Sequence, residues 1–197
     1  MNGVFTPVIN ENFVIDSNIE RLFARISRLR EASPQKCLLV GPHGAGKTEL
    51  AMQFAAVSQL PMLIMDCANL REPRDWFGSR NVTDGAITWK ASVFDKAVSA
   101  GNHVILLDEL NRVHPSVLNT LIPLLDGRGF TYLEEKGDVI RVGEGTVFFA
   151  SMNDGHQYTG TMTTDVALSD RFQRRVEVKY LPKDKEVALL MARTDSQ

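Results

Sequence analysis

The residues Gly41-Pro42-His43-Gly44-Ala45-Gly46-Lys47-Thr48 have the types and order of a phosphate cradle, G-x-x-x-x-G-K-[ST]. Glycines at 41, 44 and 46 let the backbone turn and bring successive N–H groups close to phosphate oxygens. A helix starting near Lys47 adds the positive end of its dipole, and Lys47 itself can reach the β and γ phosphates. The Thr48 hydroxyl is suited to ligating Mg²⁺, and the candidate nucleotide-binding residues run from Gly41 through Glu49. Asp108 and Glu109 follow the apolar run Val104-Ile105-Leu106-Leu107. Asp108 is expected to hold Mg²⁺, directly or through water, and Glu109 to polarise the attacking water as a general base. Asn153 also ends an apolar run and is placed to donate to the γ-phosphate or orient the water. The plainer reading of Asn153 is a turn cap. Arg171, Arg174 and Arg175 form either a solvated basic edge or an arginine finger given to a neighbouring subunit, and residue types alone leave both open.

Such a site needs strands to carry it. Cys37-Leu38-Leu39-Val40 before the glycine loop is apolar throughout, as a strand covered on both faces should be, and residues 49–56 behind it have a helical pattern. Further strands are expected at 62–65, 104–107, 146–150 and 176–180. Helices are expected from Asp16 or Ser17, over about 91–100, from Pro115 and over about 183–193, with Pro123 kinking or loosening the third of these. Residues 69–90 read as an insertion with a hairpin turning at Asp84-Gly85, and residues 128–145 as a second hairpin. The alternation of strands and helices predicts an α/β fold, a three-layer α/β/α sandwich on a five-stranded, mostly parallel sheet.

Composition narrows the class. A chain of 197 residues with 44% hydrophobic and 23% charged residues can bury one full core. The net charge of −2 argues against a nucleic-acid partner, because no polyelectrolyte footprint covers the whole domain. The two cysteines, Cys37 and Cys67, read as small buried hydrophobes in a reducing compartment. No run reaches membrane-spanning length and Met1-Asn2-Gly3-Val4 does not open a signal peptide, so the expected location is cytoplasmic, with no membrane.

Taken together, these motifs resemble those of the AAA+ ATPases, within the P-loop NTPase fold, and of their MoxR/dynein-related branch in particular. The run Gly41–Thr48 resembles Walker A and Val104–Glu109 resembles Walker B, with the continuation Leu110-Asn111-Arg112 typical of that branch. Ala150-Ser151-Met152-Asn153 resembles sensor 1, and Leu168-Ser169-Asp170-Arg171-Phe172 the segment near the arginine finger. The two excursions, about 78–90 and 128–145, stand where this branch carries its helix-2 insert and its pre-sensor-1 hairpin. Val14-Ile15 resembles the segment that lines the adenine.

The resemblance implies an ATP-driven, Mg²⁺-dependent hexameric ring that remodels a protein client, often beside a partner with a von Willebrand A domain. It implies Arg171 as the finger, with Arg174 and Arg175 in reserve, and Trp89, Lys90, Tyr132 and Lys136 as client-facing candidates. The implied domain plan is an N-terminal segment (1–15), a core domain (16–182) and the start of a helical lid (183–197), truncated or absent. Weak ATPase activity is expected of the isolated chain. The alternatives left open are a nucleic-acid or GTP-driven restriction-type motor and a low-turnover, nucleotide-gated switch.

Overall fold

The computed structural model describes residues 3–153 and 169–180. In chain order it contains β1 (Val4–Phe5), α1 (Ser17–Leu29), β2 (Gln35–Gly41), α2 (Lys47–Val57) and β3 (Met62–Asp66). Then come α3 (Pro73–Phe77), β4 (Gly78–Thr83), β5 (Ala86–Ala91), α4 (Val93–Ala100), β6 (Val104–Asp108) and α5 (Pro115–Leu125). The last elements are β7 (Phe130–Leu133), β8 (Asp138–Arg141), β9 (Val147–Asn153) and β10 (Arg174–Glu177). One sheet runs β1-β3-β6-β9-β2-β10, parallel throughout except at β1, and two hairpins, β4-β5 and β7-β8, stand apart from it.

Alternation along the central strands decides which residues face which helical layer. Leu38, Val40, Ile105, Leu107, Phe148 and Ala150 pack into one cluster with α3, α4 and α5. Cys37, Leu39, Val104, Leu106, Val147 and Phe149 pack into the other with α1 and α2. Successive side chains of a strand point to opposite faces, so an unbroken apolar run requires cover on both. Phe54 of α2 anchors the second layer, its ring 5.2 Å from Phe23 and 5.4 Å from Phe149. Truncating a buried aromatic of this kind costs about 3–5 kcal/mol.

The sheet has six strands among the described residues rather than five. The sixth, β1, is a two-residue antiparallel edge with Val4 opposite Leu63 and Phe5 opposite Met62, too short to leave a periodic trace in the sequence. β10 begins at Arg174, two residues ahead of the expected start, and ends at Glu177, although Val178 N still donates to Val40 O at 2.8 Å. Pro123 sits within α5, which continues to Leu125 and is followed by an Asp126 N–H bond to Ile122 O at 2.9 Å. The expected helix over 183–193, and the boundary between core and lid, lie outside the described residues.

Within the stretch expected to be an insertion, Leu70, Trp76 and Phe77 belong to the core. Trp76 and Phe77 of α3 are fully buried, Trp76 packs 5.1 Å from Phe94, and its Nε1 donates to Val117 O at 3.2 Å. The excursion proper is the β4-β5 hairpin, whose Asp84-Gly85 turn has φ of +52° and +78°, as a two-residue turn of the I′ kind requires.

Candidate nucleotide site

Parallel pairing brings the chemistry to one end of the sheet. β2 and β9 run in register so that Gly41 lies beside Asn153, and β3 and β6 so that Asp66 lies beside Asp108. Ligands of open α/β sheets bind outside these carboxyl ends of the strands. The loop that follows β2 turns through Gly44 at φ +77° and Gly46 at φ +89°, left-handed conformations that favour glycine, and Gly46 then serves as N-cap of α2. Gly41 has another reason. Its φ is not left-handed, but an added Cβ would overlap the Val178 carbonyl, so this glycine lets β10 close against β2. His43 is exposed, and its carbonyl accepts from the Tyr180 hydroxyl at 2.8 Å. Pro42 and Ala45 complete the turn through an Ala45 N–H bond to Pro42 O at 3.3 Å.

Lys47 is buried within its own loop. Its Nζ donates to Gly41 O at 2.8 Å, Pro42 O at 2.7 Å and Asn153 Oδ1 at 2.9 Å. Burial lowers its pKa from the ordinary lysine value, and the carboxylates of Asp108 and Glu109 partly offset that. The Asn153 amide continues the chain, Nδ2 donating to Glu109 Oε1 at 3.1 Å, and Glu109 Oε2 pairs with Arg112 Nη1 at 3.1 Å. One connected line therefore runs Lys47–Asn153–Glu109–Arg112.

Glu109 sits in a left-handed backbone conformation, φ +53° and ψ +44°, which disfavours a non-glycine residue by roughly 1–2 kcal/mol. Ser151 helps to hold it there. Its Oγ accepts from the Glu109 N–H at 2.9 Å and donates to Asp108 Oδ1. The other Asp108 oxygen, Oδ2, accepts from Thr48 Oγ1 at 3.3 Å.

The arrangement fits a nucleoside triphosphate with Mg²⁺. A Cβ at Gly44 would meet nothing within 4 Å, so the cradle is open on that side. Thr48 and Asp108 present two adjacent oxygens but no cage, and no group of three His, Cys, Asp or Glu side chains that could hold a metal occurs among the described residues. Mg²⁺ characteristically takes one or two protein oxygens and fills its octahedron with water and phosphate, so this donor set suits it.

Other candidates are placed differently. Val14 is exposed and Ile15 packs against the α1–α2 cluster, while Phe13 is the ring that a Cβ on Gly46 would meet, at 3.6 Å. Glu49 is engaged by Asn10, whose Nδ2 donates to Glu49 Oε1 at 2.8 Å, and Gln53 Nε2 donates to Asn10 O at 2.8 Å. Sequence reasoning missed Asn10 and the role of Ser151. Asn10 leaves no pattern, but Ser151 stands two residues before Asn153 on the same strand face, a signal that period-two alternation could have found.

Arg171 lies at the opposite end of the sheet. Its neighbour Gln173 accepts from Lys36 N at 2.9 Å at the start of β2, and its charge acts on Asp126 beyond the end of α5. The seven residues of β2 put that end about 20 Å from Gly41. Arg174 is tied within the domain, its Nη1 donating to Gln35 Oε1 at 2.8 Å, whereas Arg175 is exposed. Among the client-facing candidates, Lys90 and Tyr132 are exposed, Trp89 packs against the core, and Lys136 pairs with the buried Asp95 at 3.4 Å. Lys136 is therefore anchored to the domain rather than displayed.

Both cysteines are buried and free. Burial pushes the Cys37 thiol up to about 12, and burial together with Asp108, Asp66 and Glu109 raises Cys67 well above its ordinary value. No helix among the described residues is long and apolar enough to cross a membrane.

A family profile, the AAA domain of the dynein-related subfamily, matches residues 36–172. The Thauera aromatica protein named "Putative chaperone BssE" is 33% identical over 195 residues, covering 98% of this chain and 68% of that protein. An uncharacterized Staphylococcus aureus protein is 32% identical over 152 residues, 75% of this chain and 56% of its own length. Among solved structures, the Thermotoga maritima RuvB Holliday junction branch migration motor superposes with a TM-score of 0.60 at 16% identity, over 94% of this chain and 52% of that one. The Saccharomyces cerevisiae Hsp104:casein complex superposes with a TM-score of 0.63 at 20% identity, over 91% of this chain and 36% of that one. The chain thus spans about half the length of most of these relatives. At such identities the structural likenesses speak for the fold alone.

Proposed function

The chain belongs to the dynein-related AAA family, and from that premise we propose that it is the core of a Mg²⁺-dependent ATPase that couples hydrolysis to remodelling of a protein client. The observation that carries this reading is the line from Lys47 through Asn153 to Glu109, beside the paired oxygens of Thr48 and Asp108. Lys47 exchanges its loop carbonyls for the β and γ phosphates, a charge-assisted replacement at a buried site. Asn153, released by Lys47, orients the water or the γ-phosphate, and Glu109 accepts the water's proton. Thr48 and Asp108 would hold Mg²⁺, which would supply neutralisation of phosphate charge.

Arg171 cannot reach its own phosphates across the length of the sheet, which favours a finger given to the next subunit of a ring, in the MoxR-like case a hexamer. The relative named as a chaperone supports a protein client, and a von Willebrand A-domain protein is the partner class we propose. Cytoplasmic residence belongs to the same reading. The test is phosphate release from ATP and from GTP by the full chain and by its Glu109→Gln variant, across a range of protein concentrations. Hydrolysis that rises more than linearly with concentration, prefers ATP and is lost in the variant is expected. Undiminished hydrolysis by the variant overturns the assignment, and salt-dependent binding of DNA in place of a protein client redirects it to a nucleic-acid motor.

A further inference from the structure

Three contacts fasten the residues after β10 to the glycine loop. Val178 N donates to Val40 O at 2.8 Å, the Val178 carbonyl lies where a Cβ on Gly41 would stand, and the Tyr180 hydroxyl donates to His43 O at 2.8 Å. The first two close the sheet at the foot of the loop. The third reaches the loop itself, from 137 residues away in the chain, and it takes a backbone acceptor. Tyr180 is 62% exposed, so its ring adds little to the core and its hydroxyl contact stands out.

The other side of that peptide unit carries the Gly44 N–H. The backbone has no cis peptide bond among the described residues, and a trans unit sets its carbonyl and its N–H on opposite sides. With His43 O turned to Tyr180, the Gly44 N–H is turned the other way. It has no acceptor among the described residues, whereas the next N–H, that of Ala45, is spent on Pro42 O at 3.3 Å. Gly44 has φ +77° and open space at its Cβ position. Glycine tolerates either sign of φ, so the unit between His43 and Gly44 rotates at little cost unless something holds it.

We infer that Tyr180 is a positioning residue of the nucleotide site: its hydroxyl holds the His43–Gly44 peptide so that the Gly44 N–H already faces the place of a phosphate oxygen before nucleotide arrives. The inference rests on the reading of residues 41–48 as a phosphate cradle and on nothing in the hydrolytic step. Its physical content is preorganisation. A donor fixed in advance pays less ordering on binding than one that must first be turned, and a bond from N–H to a charged oxygen depends steeply on direction. The effect belongs to the hydroxyl, so phenylalanine at 180, which keeps the ring, loses it. It also belongs to the phosphates, so base and sugar are not needed to see it.

The experiment measures the affinity of the full chain for fluorescent ATP and ADP, and for inorganic tripolyphosphate by competition, in wild type, Tyr180→Phe, Tyr180→Ala and Lys47→Ala. One hydrogen bond bounds the effect, so Tyr180→Phe is expected to weaken all three ligands about two- to ten-fold, and Tyr180→Ala by a similar factor. In hydrolysis the change should appear as a raised KM with a smaller change in kcat. The denaturant unfolding midpoint of Tyr180→Phe should move little, because the bond lies at the surface. Wild-type affinity in Tyr180→Phe overturns the inference. So does a loss in Tyr180→Ala alone, which assigns the ring and not the hydroxyl, or a loss for ATP without one for tripolyphosphate. A weakening that comes only with a lowered unfolding midpoint overturns it in favour of a merely structural contact. Failure of the wild type to bind tripolyphosphate or ATP, or binding by Lys47→Ala at wild-type strength, overturns instead the reading of the cradle, and so the two failures are separable.

Discussion

Thr48 and Asp108 stand 3.3 Å apart, hydroxyl to carboxylate, although sixty residues of chain separate them. Neither residue reaches the other through local structure. Thr48 is set by the first turn of α2, Asp108 by the last position of β6, and the parallel sheet that carries both α2's preceding strand and β6 brings their oxygens to one place. That juxtaposition is the reason a hard cation with few protein ligands fits here.

Replacing Glu109 by Gln keeps the side chain's shape and removes its basicity. Phosphate release should fall by about 10²–10⁴-fold, the usual range for losing a general base, while nucleotide affinity changes little. Rapid-quench hydrolysis beside equilibrium binding checks both halves.

Gly41→Ala places a methyl group on the Val178 carbonyl. The backbones of β2 and β10 must then separate, and overpacking of this kind destabilises by about 1–3 kcal/mol. Denaturant unfolding should show that loss, and nucleotide affinity should fall with it because Gly41 O also anchors Lys47. Gly44→Ala, with open space at its Cβ position, should cost only the strain of its left-handed backbone.

If Arg171 acts on the neighbour's nucleotide, two inactive chains can complement each other. Lys47→Ala retains a finger but no cradle, and Arg171→Ala retains a cradle but no finger. Mixed in equal amounts and allowed to reassemble, they should regain up to about a quarter of the wild-type rate, the share of interfaces with both parts intact. Absence of recovery in mixed assemblies verified by light scattering counts against a trans finger.

The thiols should be silent in the folded chain. With Cys37 raised to about 12, roughly one thiol in a thousand is ionised at pH 9, and alkylation there should be far slower than after denaturation. The sign of the linkage follows from the same shift. A thiol whose folded value lies above its unfolded value holds its proton longer when folded, so the Cys37 contribution lowers stability as pH rises from about 9 to about 12. Cys37→Ala should flatten that part of the pH–stability curve, offset by the cavity it leaves.

Much of the site was legible in sequence because its parts are local. The turn at 41–48 needs glycines at set offsets, and the carboxylates 108 and 109 end an apolar run that can only be a covered strand. Other features were not legible because their causes are distant in the chain. The need for glycine at 41 comes from Val178, the hold on the Glu109 turn from Ser151, and the anchoring of Lys136 from Asp95. β1 exists only because β3 offers it an edge, and two residues are too few to show alternation.

Residue types and their spacing by themselves determined the doubly covered sheet, the glycine cradle with Lys47 and Thr48, and the acidic pair at the end of β6, since each follows from interactions within about ten residues. Only the tertiary structure decided that Lys47, Asn153, Glu109 and Arg112 form one connected line, that Arg174 is bound within the domain, and that Arg171 lies at the end of the sheet away from the glycine loop. Those relations depend on strand order and register, which are set by how whole faces pack against one another, and no short stretch of sequence carries that information.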